Sequence, residues 1–298
     1  MRVLIAGATG CVGAALARRL VKAGHRVRGV SRSGPTPAMR AALPTVQWSV
    51  GDAATPTTWL EPLADVEVAY YLIHSLAHPD FDARDLQAAR CFAAAAHAAG
   101  VQRVIYLGGL AATGEGDSAH LSGRIRTGAA LAAAGVPVTE LRTSVILAPD
   151  SAVVRLMTSL VGRFAVLFLP QGMETRVQPI ALGDVLDALE GAAGRMHTGH
   201  RVVELGGPEV ISWTALFQRY ARVAGRRRLF ITLPFNIKRI AAAFASWFSP
   251  LSRLMCAHFL EGLESEALAP GDPPAWIGAR PATSLDVALQ RCIPADSR

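Results

Sequence analysis

Three glycines, Gly7, Gly10 and Gly13, stand at a spacing of three in the run Gly7-Ala8-Thr9-Gly10-Cys11-Val12-Gly13. A short β-rich segment, Met1 to Ala6, precedes them, and Leu16, Leu20 and Val21 follow at helical spacing. Between a strand and a helix, glycines permit a tight turn and close backbone approach, and the helix N-terminus presents N–H donors and a positive dipole end. That is chemistry for holding a pyrophosphate, with Thr9, Cys11 and Val12 in the same turn. Cys11 reads as a small filler there rather than a nucleophile.

A dinucleotide fold for NAD carries an acid at the end of its second strand, about 20 residues beyond the glycines, to bond the adenosine ribose. Here the second strand, His25 to Val30, runs into Ser31-Arg32-Ser33, and the first fifty-one residues contain no Asp or Glu. A guanidinium is planar, permanently charged and able to bond a phosphate bidentately. The pattern therefore points to NADP(H), with Arg32 as the main 2′-phosphate contact and Ser31, Ser33 and Arg28 as helpers. The competing reading of Arg32 is a solvated loop arginine. Asp52, the first acid of the chain, ends a third strand with Gly51. It can bond the adenine amine or cap the next helix, and both readings stand.

The elements that must position these groups follow from periodicity. Val66 to Ser75 reads as a nearly continuous buried strand, of the kind found in a parallel sheet covered on both faces. Its end delivers His74 and Ser75 to the ligand-binding edge. A helix from about Phe81 to Ala99, a strand from Val101 to Gly109, a polar loop at 113–118, a helix over 119–134 and a strand over 136–147 come next. Strands alternating with helices predict an α/β fold, a Rossmann-type doubly wound parallel sheet over residues 1–150. Beyond 151 the alternation weakens. Segments 178–185 and 201–208 read as returns to the sheet, while 212–224 and 235–265 read as helical. The expected remainder, 151–298, is a smaller, mainly helical substrate cap built from discontinuous segments.

Composition narrows the class. The 298 residues are 51% hydrophobic and 18% charged, which describes a globular chain. The net charge of +7 comes from scattered cations with no nucleic-acid motif, so a small molecule rather than nucleic acid is the expected partner. Four dispersed cysteines predict neither a metal site nor a disulfide framework. The first strand begins within two residues, leaving no room for a signal peptide, which predicts a cytoplasmic protein. The apolar stretch 230–260 is interrupted by Arg239, Pro250 and Arg253, too often to span a bilayer. It fits a buried cap or hydrophobic pocket, a membrane-surface contact, or the interface of a homodimer as opposed to a monomer.

Taken together, the chain resembles the atypical or extended short-chain dehydrogenase/reductase superfamily, in its NmrA-like, NAD(P)H-binding branch. The resemblance is carried by Gly7/Gly10/Gly13, Arg32, Gly51-Asp52, Tyr70-Tyr71-Leu72-Ile73-His74-Ser75, Tyr106-Leu107-Gly108-Gly109, Glu140-Leu141-Arg142, Gln178-Pro179-Ile180 with Asp184, and Glu204-Leu205-Gly206-Gly207-Pro208. It implies a bound cofactor touching the strand-end Gly108 as well as the glycine turn. For chemistry it implies a Tyr with a Lys four residues later, the Lys holding the ribose and lowering the Tyr pKa. With Lys22 and Lys238 the only lysines, and Tyr70, Tyr71, Tyr106 and Tyr220 the only tyrosines, no such pair exists.

His120-Leu121-Ser122-Gly123-Arg124 stands in its place, and the spacing of four puts His120 and Arg124 on one helix face. Arg124 can hold the nicotinamide ribose, and His120, with an unperturbed pKa near ~6.5, can exchange a proton. The competing reading has His120 capping the helix and Arg124 facing a phosphate or solvent. His74 is a second candidate acid, or else a hydrogen-bonded wall. Glu140 with Arg142, and Asp184, read as an internal ion-pair or capping network. Three functions follow: an NADP(H)-dependent oxidoreductase for a small, fairly apolar carbonyl, quinone or conjugated acceptor; a non-catalytic NADP(H)-binding redox sensor or structural subunit; or the modification of a sugar or isoprenoid with NADP(H) retained through the cycle, which no residue singles out.

Overall fold

Val3, Leu4, Ile5 and Ala6 are all fully buried, a pattern that only a strand covered on both faces allows. In the computed structural model, which describes residues 1–75, 78, 80–110, 119–195, 197–233, 237–263, 265–271 and 282–294, this strand is central to a seven-stranded parallel sheet. Its strands are β1 (Arg2–Ala6), β2 (Arg26–Ser31), β3 (Gln47–Val50), β4 (Val68–Tyr71), β5 (Arg103–Gly109), β6 (Val138–Thr143) and β11 (His200–Leu205). The order is β11-β6-β5-β4-β1-β2-β3. This is the expected Rossmann-type doubly wound fold, and segment 201–208 does return to the sheet, as the edge strand beside β6.

Helices cover both faces. Helix α1 (Cys11–Lys22) and helix α6 (Leu182–Ala193) pack on the face that carries Tyr70, joined by ion pairs from Arg19 to Asp187 and Glu190. Helices α3 (Phe81–Ala98) and α4 (Ala119–Ala132) lie on the face that carries Tyr71. The Phe92 ring centroid there is 4.9 Å from both Tyr71 and Trp59. Consecutive tyrosines serve opposite faces because side chains alternate along a strand. A small helix, α2 (Pro37–Ala42), capped by the Thr36 hydroxyl, links β2 to β3.

Two expectations from periodicity change. The strand predicted over 66–75 is only four residues long, because the Leu72 N–H bonds the Ala6 carbonyl, the last residue of β1. Beyond that point the neighbour turns away at Gly7, so His74 and Ser75 stand on a loop. The strand predicted over 136–147 breaks after Thr143. Ser144 Oγ accepts the Gln178 N–H at 3.2 Å, and the chain re-forms as β7 (Ile146–Leu147), paired with β10 (Ile180–Ala181). Segment 178–185 thus joins a separate two-stranded ribbon, not the main sheet.

A third core belongs to the C-terminal half. Helices α5 (Ala152–Arg163), α7 (Trp213–Val223), α8 (Lys238–Phe248), α9 (Arg253–Gly262) and α10 (Leu285–Cys292) surround Met157, Leu216, Phe217, Cys256 and Leu289. Ser151, Ser212 and Ser252 cap α5, α7 and α9 by accepting backbone N–H bonds. Strands β8 (Val166–Leu169) and β13 (Leu229–Thr232) pair in parallel, and β9 (Arg176–Val177) pairs antiparallel with β12 (Ile211–Ser212). Gln178 fastens this half to the sheet: its Nε2 donates to the Gly207 carbonyl at 2.8 Å and its Oε1 accepts the Ala269 N–H at 2.9 Å.

Candidate cofactor site

The strand order reverses between β1 and β4, and the crevice beyond their C-terminal ends is where such sheets bind ligands. Gly7 occupies φ +88°, a conformation L side chains rarely adopt, and a Cβ there would stand 2.9 Å from the Leu72 carbonyl oxygen. A Cβ on Gly13 would come within 2.2 Å of the Gly7 carbonyl oxygen. The turn is therefore closed to side chains and open to a ligand. Helix α1 begins at Gly10 with no side-chain cap and no acid in its first turn, leaving its leading N–H groups to a phosphate.

A cavity of about 420 Å³ opens beside this turn. It gathers Gly7, Thr9, Gly10, Ser31, Arg32, Ser33, Asp52 and His74, residues from four separate strand ends. Ser31 is only 8% exposed, and its Oγ has no hydrogen-bond partner among the described residues. A buried hydroxyl left unpaired is costly, and a phosphate oxygen reaching that wall would satisfy it. The glycine cradle and this hydroxyl both fit a dinucleotide phosphate.

Other predicted residues stand elsewhere. Cys11, Val12 and Gly13 form the first turn of α1 and do not line the cavity; burial raises the Cys11 thiol pKa, with Asp150 adding to the effect. Arg28 is not a helper, because its guanidinium is tied to Gln47 and to the carbonyls of Pro62 and Ala64. Asp52 accepts the Ala54 N–H at 2.9 Å, which caps a local turn, and its other oxygen pairs with Arg84 at 3.1 Å. Arg84 itself lines the cavity.

His74 sits on the cavity wall with Nδ1 2.8 Å from Asp85 Oδ2. Burial, reinforced by the nearby Arg124 charge, lowers the His74 pKa to about 4 against the opposing pull of Asp85. Burial opposes ionisation of Asp85 too, yet the bonds from His74 and Ser75 hold its carboxyl below the usual range. At neutral pH the contact is therefore a neutral imidazole donating Nδ1–H to a carboxylate, not an ion pair. On the far side, the His258 ring packs 4.8 Å from Phe81, whose ring meets His74 edge-on at 6.5 Å.

An NAD(P)H-binding family model matches residues 7–144. No curated protein matches the chain. Among solved structures, UDP-glucose 4-epimerase from Thermotoga maritima is similar over 98% of this chain and 97% of its own, at TM-score 0.75 and 15% identity. A nucleoside-diphosphate-sugar epimerase from Staphylococcus aureus is similar over 97% of this chain and 100% of its own, at TM-score 0.75 and 16% identity. MoeE5 in complex with UDP-glucose and NAD is similar over 88% of this chain and 98% of its own, at TM-score 0.66 and 19% identity. Residues 7–144 thus carry an NAD(P)H-binding domain, and the whole chain shares its fold with these epimerase structures. At these identities the likeness is one of architecture.

The residues that stand where the resemblance expects a Tyr and a Lys point away from the cavity or lie outside the described residues. Arg124 does not line the cavity: its guanidinium donates to the Leu107 carbonyl and lies 5.5 Å from the Tyr106 ring centroid. Gly108 also lies off the cavity, and a Cβ there would press on Glu140 Oε1 at 3.2 Å. The His120 side chain and the loop 111–118 fall outside the described residues. Glu140, 1% exposed, is held by Arg142 at 2.7 Å and His200 at 2.8 Å, and Asp184 accepts two bonds from Thr283. These are internal networks, as their strand and helix positions predict.

Asp85, Arg84 and His258, which stand around His74 and the cavity wall, are neighbours that sequence reasoning missed. One signal was available for Asp85: it shares the spacing of the buried face Phe81, Ala88, Ala89 and Phe92, and an acid on a buried helix face needs a partner. Arg84 and His258 carry no such mark.

The apolar stretch 230–260 lines a second cavity, of about 310 Å³, with α5, β8 and α7. Among the described residues no helix is long and apolar enough to cross a membrane, and no cluster of His, Cys, Asp and Glu is arranged to hold a metal ion.

Proposed function

We propose that the chain is an NADP(H)-dependent oxidoreductase acting on a small, fairly apolar carbonyl, quinone or conjugated acceptor. The observation that carries the cofactor preference is Arg32, set between Ser31 and Ser33 on the cavity wall where an acid for the ribose of NAD would stand. The nearest acid, Asp52, is already engaged by Arg84. Arg32 and the two serine hydroxyls would receive a 2′-phosphate, and the first turn of α1 the pyrophosphate. The cofactor, when bound, supplies hydride chemistry.

The chain's own residues orient and shield that chemistry. With its proton on Nδ1 and a pKa of about 4, His74 is a neutral imidazole at pH 7 and stores no proton for release. Proton delivery falls to His120 or to water.

A non-catalytic sensor or subunit is the second reading, supported by the missing Tyr and Lys and by an Arg124 turned toward Leu107. Cofactor titration and a turnover panel separate the readings. Charge-assisted bonds contribute roughly 1.5–3 kcal/mol, so Arg32→Ala should weaken NADPH binding by about 10- to 150-fold and change NADH binding little. Equal affinity of the unaltered chain for NADH and NADPH would refute the preference. Tight NADPH binding without oxidation by any quinone, enone or aldehyde would favour the sensor.

A further inference from the structure

The second cavity has a mouth that is itself apolar. Val166, Phe168, Ile240 and Phe244 line it and are also exposed, so the lining continues outward onto the surface. Along β8 the side chains alternate, with Leu167 and Leu169 buried and Val166 and Phe168 outward. The paired strand β13 places Leu229 beside Val166 and Ile231 beside Phe168, so the outward face of this two-stranded sheet is apolar on both strands. Helix α8 adds Ile240, Phe244 and Trp247, spaced four and seven along one face, with Ile240 71% and Trp247 83% exposed. A contiguous apolar surface of this kind marks an interaction site.

Charge selects its occupant. Residues 210–260 contain no Asp or Glu and eight bases; Arg219 is engaged by Asp286 and Glu209, and the other seven are Arg222, Arg226, Arg227, Arg228, Lys238, Arg239 and Arg253. Arg239 immediately precedes Ile240, Arg227 stands two residues before Leu229, and the Arg163 guanidinium lies 5.4 Å from the Phe248 ring centroid. A second copy of the chain seated symmetrically on this face would bring like charges together. An anionic lipid surface meets both features, with apolar side chains entering the acyl boundary and bases facing the headgroups. We propose that this face of the cap docks on an anionic lipid bilayer, and that the cavity behind it takes one hydrocarbon chain. The docking face is independent of the redox reading and lies apart from the glycine turn.

The test is co-sedimentation of the full chain with vesicles of phosphatidylcholine, alone or mixed with phosphatidylglycerol. The chain should pellet with the mixed vesicles, stay in solution with the neutral ones, and be released near 1 M salt, where the Debye length falls to about 3 Å. Arg227→Gln with Arg239→Gln should weaken binding roughly 25-fold, at about fivefold per base. Ile240→Ser with Trp247→Ser should abolish it. Each variant is checked for unchanged NADPH affinity, and the lipid and salt comparisons on the unaltered chain stand without any variant. The cavity is probed with parinaric acid, which should bind the unaltered chain and not Ala241→Phe. Failure to pellet with anionic vesicles, equal binding to neutral ones, or a dimer that the double serine variant splits without any lipid binding would overturn the docking face. No binding of parinaric acid would overturn the chain site.

Discussion

Replacing His74 by Asn keeps a side-chain N–H for Asp85 and removes a titrating ring. In the unfolded chain His74 takes up its proton near 6.5, and in the fold only near 4. The unfolded state therefore binds more protons throughout that window, so stability is full above it and falls as the pH drops. The displacement amounts to about 2 kcal/mol at pH 5 and about 3 kcal/mol near pH 4. Urea unfolding at pH 8 and pH 5 measures the difference, provided the m-value is the same at both. The unaltered chain should lose about 2 kcal/mol more than His74→Asn between the two. The other seven histidines, His25 among them with its burial-lowered pKa, are common to both proteins and cancel. Identical pH dependence in the two would refute the buried neutral imidazole.

Gly13→Ala sets a methyl group 2.2 Å from a backbone oxygen that cannot yield, so it should lower NADP(H) affinity at least about tenfold and reduce the melting temperature; unchanged affinity in a cofactor titration would show that the turn is looser than its geometry. Arg142→Leu leaves the Glu140 carboxylate buried without its guanidinium, and should cost about 3–5 kcal/mol by chemical denaturation. A loss below about 1 kcal/mol would mean that His200 alone holds Glu140.

The glycine turn and the base at the end of β2 were legible in the sequence because each is local, a strand, a turn and a helix start within thirty-three residues. What hid were features set by distant partners. Ser144 and Val145 continue a β-rich pattern, and nothing nearby reveals that the Gln178 N–H, 34 residues on, draws the chain out of the sheet. The spacing of His120 and Arg124 fixes a shared helix face but not the direction of a long side chain, and Arg124 turns to Leu107. Arg28 belongs to a strand next to Arg32 and looks equivalent in sequence, yet the 62–64 carbonyls capture it. The alternation of β8 reads as an ordinary half-buried strand, and only the pairing with β13 shows that its outward side is apolar.

One amide, that of Gln178, meets residues 207 and 269 through its side chain and residue 144 through its backbone. Gly206 is packed so closely on it that a Cβ there would come 2.2 Å from Cδ of Gln178. The junction of the sheet and the C-terminal helical half is therefore a seam, not a hinge. The two halves are not interchangeable modules: a C-terminal half grafted from another chain would have to bring this glutamine and its three partners with it, in register, or leave polar groups of both halves unpaired at the join.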